Sequence, residues 1–568
     1  MILGIDLGTT NSAVAIWRDG APLLVPNALG EPLTPSVVSI DDAGIVHVGI
    51  AARDRQSTHP HQTAASFKRY MGTERQALLG RERYTAEELS ALVLRALKAD
   101  AEAFCGIGIT EAVITVPAYF NDRQRKATRR AGELAGLTVR RLVNEPTAAA
   151  LAFGVHTREE REPFLVFDLG GGTFDVSIVE MFDGIIEVRA SAGDNRLGGD
   201  DFDDCLIALA RPHLDPTGQL AASDPQLVEA RLHAAARQAR HALTSADEAE
   251  FALTLDGTRL TTTVTARAFE EQAQGLLTRL REPVLRSLRD CNVDAKALSE
   301  IVLVGGATRM PIVRRAIARM FGRFPNSTVH PDHAVALGAA VQAGLLARDA
   351  ALDEIRLTDV CPFTLGVDNA ERDSRGNLHH GIFSPIIDRN TAIPVSRVST
   401  YRTIADNQKR VEFGIYQGEA REVSSNVKLG SLSIPVPPRA AGEVLVDCRF
   451  SYDSSGLLEI DVAVAGTDLS RNLVIRDEAG AMTEQELDEG RARLAALKFH
   501  PREAADNAAA LARARKDYES FIGDRREAIG RVILQFESAL DTQDPRVIQE
   551  ARRALLLLLD AIEQDYRL

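Results

Sequence analysis

Cysteine is sparse in this chain: Cys105, Cys205, Cys291, Cys361 and Cys448 are its five, spread over 568 positions. Spacings that wide offer neither a paired zinc motif nor a disulfide framework, so buried free thiols in a reducing compartment are expected. Surplus positive charge is missing too. With 66 basic against 80 acidic residues the formal net charge is -14, which repels phosphate backbones, and no nucleic-acid partner is expected. Long apolar runs are also absent; Ala554 to Leu559 is far too short to cross a bilayer and reads as a packed helix. The first residues carry neither a basic leader nor a cleavage site, so a cytoplasmic protein without signal peptide or membrane association is expected. The rest of the composition, 45% hydrophobic and 26% charged, is that of a soluble chain long enough for several domains.

One pattern occurs twice. Leu3-Gly4-Ile5-Asp6-Leu7-Gly8-Thr9-Thr10-Asn11-Ser12 and Leu165-Val166-Phe167-Asp168-Leu169-Gly170-Gly171-Gly172-Thr173-Phe174 each run from apolar residues through Asp-Leu-Gly into small residues and a second apolar run. This predicts a hairpin bent around an anion, because glycine lets backbone amides approach closely and the hydroxyls add donors. Either segment alone reads equally as a buried strand ending in a glycine turn. Together they suggest two lobes facing one polyphosphate, with the two aspartates holding a hydrated magnesium between them, and the fit is Mg·ATP.

Up to about Leu346, strand-like and helical patterns alternate, as in Ala112 to Val116, Asp122 to Ala135 and Val139 to Val143, which predicts an α/β architecture. The segment around Asp349 to Val360 breaks that texture and reads as an interdomain linker. Alternation at Val444, Val446, Cys448, Phe450 and Tyr452, then at Leu458, Ile460, Val462 and Val464, predicts an antiparallel hairpin in an all-β domain. Thr483-Glu484-Gln485-Glu486 has capping-box form and opens a stretch predicted helical to the end. The expected layout is multidomain, α/β plus all-β plus α: 1–350, a linker at 351–360, 361–480 and 481–568.

The two turns, with Val116-Pro117-Ala118-Tyr119-Phe120-Asn121-Asp122, Asn144-Glu145-Pro146-Thr147-Ala148-Ala149-Ala150 and Val304-Gly305-Gly306-Ala307-Thr308-Arg309-Met310-Pro311, resemble the seventy-kilodalton heat-shock chaperone family over nearly the whole chain. Within it the closest resemblance is to the bacterial HscC-type branch. The resemblance implies an actin-like two-lobed ATPase, a β-sandwich that grips extended peptides and a helical lid, in a stress-response chaperone. It implies ATP/ADP, Mg2+ and K+ as cofactors. As partners it implies unfolded or extended polypeptide clients, a J-domain co-chaperone and a nucleotide-exchange factor.

By motif match, Asp6, Asp168 and Thr173 would surround magnesium and the attacking water, and Gly8, Thr9, Thr10, Asn11, Gly170, Gly171 and Gly172 would contact phosphates, with Gly198 and Gly199 beside them. Lys68 would reach the γ-phosphate and Glu145 would position water. Gly305, Gly306, Arg309 and Asp332 would cradle adenosine, with Arg240 and Thr244. Pro117 and Arg125 match a relay between nucleotide and peptide sites. Tyr119, Asn121, Asp122 and Arg141 match a surface for the J domain. Val367, Ile382, Ser384, Val411 and Phe413 match the peptide pocket, and Ile404 its arch.

The chain also departs from the family pattern. Arg237 stands where many relatives carry glutamate, which points to altered nucleotide affinity or exchange. Glu354, Arg356 and Thr358 replace linker leucines, each worth about 2 kcal/mol of burial, so interdomain coupling is expected to be weaker or differently built. An insertion, Ala370 to His380, is expected to stand as a loop beside the arch, and the shortened helical tail to close less completely. Sugar kinases and actin-like filament proteins share the nucleotide core but have no use for the last third of the chain. The rival reading is an ATP-binding co-chaperone or exchange-type relative, weakly coupled to clients.

Overall fold

The computed structural model describes residues 1–155, 161–182, 185–215, 218–255, 257–326, 330–352, 356–372, 378–453, 458–475, 498–499, 502–521, 523–541 and 545–564. The sequence repeat is a structural repeat. Strands Ile2–Asp6 and Asn11–Arg18 form an antiparallel hairpin flanked by the parallel strand Glu111–Val116, and Arg161–Leu169 with Phe174–Phe182 form another, flanked by the parallel strand Ile301–Val304. Each hairpin is the centre of a six-stranded sheet. Separate cores form behind them: one gathers Leu3, Ile5, Leu92 and Ile114, the other Phe167, Phe174, Phe202 and Leu232. These are the two lobes.

Helices Glu145–Val155 and Ala334–Leu346 pack against each other where the lobes meet. Both are rich in alanine and glycine, and the contact is as close as backbone allows: a Cβ on Gly338 would stand 1.7 Å from the Ala148 carbonyl oxygen.

The stretch beyond is a sandwich of two four-stranded antiparallel sheets, Leu378–Ile387, Leu365–Arg372, Arg410–Gln417, Val427–Pro435 and Val395–Arg402, Leu445–Tyr452, Leu458–Val464, Ser470–Ile475. The alternating residues Val446, Cys448, Phe450, Ile460 and Val462 point inward and close the core with Val367, Phe413 and Ile415. The hairpin Leu445–Tyr452 to Leu458–Val464 pairs Tyr452 with Leu458, as the alternation requires. Helices Arg502–Ser520, Asp524–Asp541 and Pro545–Gln564 bundle around Ile529, Phe536, Leu555 and Leu559. The capping box at Thr483 lies outside the described residues, and no described helix is long and apolar enough to cross a membrane.

Two placements were not foreseen, those of the linker and of the first C-terminal helix, and two expectations, on the insertion and the cysteines, need correction. Within the linker, Arg356–Val360 is a strand lying parallel beside Ile185–Asp194 in the second lobe's sheet. Backbone pairing is indifferent to side chain, so losing leucines does not cost the segment its partner. The insertion is not wholly a loop, because its flanks extend the hairpin with Glu371 opposite His379 and Arg372 opposite Leu378; 373–377 lie outside the described residues. Helix Arg502–Ser520 rests on helix Ile50–Gln56 of the first lobe, where Lys516 Nζ lies 3.1 Å from Asp54 Oδ1. Only Cys361 and Cys448 are buried; the other three thiols are half-buried at the edges of their cores.

Candidate functional site

Both turns open into one cleft of about 650 Å³ between the lobes. The first turn is fixed by hydroxyls: Gly8 N donates to Ser12 Oγ (3.2 Å), Ser36 Oγ donates to the Gly8 carbonyl (2.7 Å), and the two serine hydroxyls lie 2.8 Å apart. The second turn closes by Gly170 N donating to the Thr173 carbonyl at 3.0 Å. The turns nearly touch, since a Cβ on Gly171 would meet Thr10 Oγ1 at 1.7 Å. Helix Gly199–Leu214 starts against this turn, with Gly199 N and Asp200 N donating to the carbonyls of Gly170 and Gly171 at 2.9 and 2.8 Å, so its positive end faces the cleft. Gly172 and Gly198 stand behind the lining; Gly198 lets the helix start approach Gly171.

The floor of the cleft is a crowd of carboxylates. Asp6 accepts from Thr115 Oγ1 at 3.1 Å, and burial, with Glu145 nearby, pushes its pKa up to about 7. Burial, then Glu145 and Asp175, lifts Asp168 well above the carboxylate range, and its Oδ2 is buried without a hydrogen-bond partner. Behind the lining Asp175 accepts from Tyr119 N at 3.0 Å and is pushed up to about 8, again by burial first and Glu145 second. One ammonium, that of Lys68, lies among them: 2% exposed, 2.6 Å from Glu145 Oε1, and 5.6 Å from the Phe120 ring centroid. Lys68 and Glu145, expected on separate duties, are therefore a buried pair.

Such a floor fits a divalent cation. Orphaned and protonation-prone carboxylates are what a site shows when its counter-charge is a bound ion. Among the described residues no group of three or more His, Cys, Asp or Glu side chains forms a metal cage, so an ion here would be held by Asp6 and Asp168 largely through water.

At the other end Gly305 takes φ +80°, which brings it against the Leu169 carbonyl, and Gly306 lies against Asp332. Arg309 is ion-paired with Asp332 and lies 3.2 Å from His330 Nε2. Arg240 Nε donates to buried Asp203 at 2.6 Å, and Thr244 bonds back to the Arg240 carbonyl. Arg237 lines the same wall, with Arg53 on the first lobe.

A family model described as Hsp70 protein matches residues 2–79 and 75–565. The chain belongs to the Hsp70 family. Hsp70 members are ATP-dependent chaperones built from a two-lobed ATPase, a β-sandwich and a helical lid, and the mixed α/β, all-β and helical parts described above are consistent with that plan.

In this Hsp70 the residues matched to the peptide pocket are not gathered on an open groove. Val367 and Phe413 are 0% and 2% exposed in the sandwich core, Phe413 against Tyr401. Ser384 bonds the Tyr401 hydroxyl at 3.0 Å, Ile382 and Val411 are half-buried, and Ile404 is exposed. The physical reason is the strand period: Val367 and Phe413 share the inward face with Ile415.

Arg125, matched with Pro117 to a relay, is joined through Asn144 to the linker strand. Arg125 donates to the carbonyls of Phe120 and Ala118, within the segment after Pro117, and to Asn144 Oδ1 at 2.6 Å. Asn144 Nδ2 donates to Asp359 Oδ2 at 3.0 Å, and Thr147 Oγ1 to the same oxygen at 3.3 Å. Burial raises the Asp359 pKa.

The residues matched to a J-domain surface, expected in the open, sit where ATPase and sandwich meet. Tyr119 stacks 4.5 Å from Phe363, Asn121 caps helix Asp122–Leu134, Asp122 N donates to Gln417 Oε1 at 3.1 Å, and Arg141 is half-buried.

Three residues here were missed by sequence reasoning. Asp175 was read as part of an apolar run, although hairpin register places it directly opposite Asp168; folding the chain back about the Gly170–Thr173 turn, with Leu169 opposite Phe174, would have found it. Asp203, one turn into the glycine-started helix, and Asp359, in the linker, had no local signal.

Proposed function

We propose that this Hsp70 binds Mg·ATP between its lobes, hydrolyses it, and uses the change to control its grip on unfolded or extended polypeptide. The carrying observation is the buried floor of Asp6, Asp168 and Glu145, backed by Asp175, around the ammonium of Lys68 and facing two glycine turns. Asp6 and Asp168 would hold the hydrated magnesium, which supplies charge neutralisation on the phosphates when bound. The amides and hydroxyls of Gly8 to Asn11 and Gly170 to Thr173 orient the phosphate chain, and the helix beginning at Gly199 adds its positive end. Lys68 stabilises charge developing on the transferred group, and Glu145, held by Lys68, orients the water. Gly305, Gly306, Arg309, Asp332, Arg240 and Thr244 form the adenosine wall. Potassium, the domain limits given above, cytoplasmic location, the HscC-type branch, and J-domain and exchange-factor partners belong to the same proposal.

Coupling runs through Arg125, Asn144 and Asp359. Asn144 precedes Glu145 in the chain, so a shift at the catalytic glutamate is felt at the linker strand. This docked strand favours a client-coupled chaperone over an uncoupled exchange-type relative. With Val367 and Phe413 turned into the core, this form holds clients loosely; Val367, Ile382, Ser384, Ile404, Val411 and Phe413 would line the groove after undocking. Dissociation of a fluorescent peptide, measured with ATP and with ADP, tests the proposal: faster release with ATP is expected, and equal rates would overturn the coupling.

A further inference from the structure

The lid helix does more than rest on one lobe. Its last turn reaches the second lobe as well, where Arg231 of helix Pro225–Ala242 lies between three bodies. Arg231 Nε donates to the Ser57 carbonyl of the first lobe at 3.2 Å, Nη1 donates to the Thr254 carbonyl of its own lobe, and Nη2 donates to Glu519 Oε2 of the lid at 2.5 Å. Beside it Thr254 Oγ1 donates to the Ser520 carbonyl at 3.0 Å. On the first lobe Lys516 binds Asp54, which is 7% exposed. One end of one helix thus bonds both rims.

Both helices it joins contribute to the lining of the nucleotide cleft. Asp54 holds the lid and its neighbour Arg53 lines the cavity; Arg231 holds the lid and, further along the same helix, Arg237 and Arg240 line the cavity. Separating the rims enough to pass a nucleotide must break the Arg231–Ser57 contact, and with the lid seated it must also break either Arg231–Glu519 and Thr254–Ser520 or Lys516–Asp54.

We propose that Arg231 is a positioning residue for nucleotide retention: through Glu519 it makes the seated lid a staple across the mouth of the cleft, so that nucleotide leaves only after the lid does. The inference rests on the nucleotide reading of the cleft. It goes beyond it by assigning the lid a second substrate to retain. The pair is 14% and 37% exposed, enclosed enough for a charge-assisted hydrogen bond to act on a rate. Loss of such a bond converts to about a tenfold faster release.

The test uses the full chain, a fluorescent adenine nucleotide with magnesium, and a stopped-flow chase by excess ATP. Arg231→Glu and Glu519→Arg should each release nucleotide about tenfold faster than the parent. Arg231→Glu/Glu519→Arg, which restores the pair with its sense reversed, should return toward the parental rate. Single-turnover hydrolysis of nucleotide already bound should be unchanged in all three, which separates retention from a general defect. In full-length Glu519→Ala, adding Arg231→Glu should contribute only the effect of the Ser57 contact. Unchanged release in the single variants, no recovery in the double variant, or a full Arg231→Glu effect in the Glu519→Ala background would each overturn the staple. Failure of the parent to bind nucleotide at all would instead refute the cleft reading.

Discussion

Replacing Lys68 by methionine removes the ammonium that the buried carboxylates share, and its consequences separate stability from chemistry. Lys68 and Glu145 have side chains 2% and 9% exposed and 2.6 Å apart, and the same ammonium pulls down the pKa values of Asp6, Asp168 and Asp175. Breaking one partner out of a buried pair typically costs about 3–5 kcal/mol, because the other charge stays behind uncompensated. Lys68→Met should therefore lower the apoprotein's unfolding free energy by about that amount, more at pH 8 than at pH 6, since more of the aspartates are ionised at the higher pH. Lys68→Met/Glu145→Gln removes both charges and should recover most of the loss. Neither variant should hydrolyse bound ATP normally: a fall of about 10²–10³-fold in the single-turnover rate is expected from losing one donor to the transition state. Denaturant titrations and single-turnover hydrolysis, run on the parent and on both variants, read the two effects independently. A parental unfolding free energy for Lys68→Met would show that the pair is not the compensated cluster argued here. Normal turnover in the restabilised double variant would show that Lys68 and Glu145 serve packing alone.

Asp6 and Asp175 have pKa values raised from 3.8 to about 7 and about 8, so the folded apoprotein binds more protons than the unfolded chain between those limits, and its stability should fall as pH rises from about 4 to 8. Mg·nucleotide binding needs the ionised carboxylates and should release protons, with affinity rising over pH 6 to 8; calorimetric heats that do not depend on buffer ionisation would contradict this. Gly171→Ala places a methyl 1.7 Å from Thr10 Oγ1 and should weaken nucleotide binding at least about 100-fold with little change in apoprotein unfolding, because the turns can part only by spoiling the phosphate cradle. Asp359→Ala removes the shared acceptor of Asn144 and Thr147 from the linker strand. It should leave basal hydrolysis within about twofold while reducing the ATP-dependent acceleration of peptide release by about tenfold; retention of that acceleration would remove Asp359 from the coupling path.

Much of this molecule was legible in its residues. The repeated Asp-Leu-Gly turn specified two hairpins because an apolar run, a glycine turn and a second apolar run have few other ways to fold, and both hairpins were found with Asp6 and Asp168 at their turns. Alternation from Val444 to Val464 likewise determined a hairpin and its inward face, since strand side chains alternate with a period of two. These are short-range consequences of sequence, and so is the capped helix Asp122–Leu134.

Only the tertiary structure decided which distant charges meet. Lys68 and Glu145 are 77 positions apart, Arg231 and Glu519 are 288 apart, and Asn144 and Asp359 are 215 apart. No local rule links such pairs, because each depends on how whole lobes, linker and lid are seated. The linker shows the division most plainly. Its polar side chains suggested coupling that is weaker or differently built, and Arg356–Val360 is docked through backbone pairing that side-chain identity does not reveal. Sequence set the pieces and their apolar faces; long-range packing set the partners of the buried charges, and with them the chemistry of the cleft.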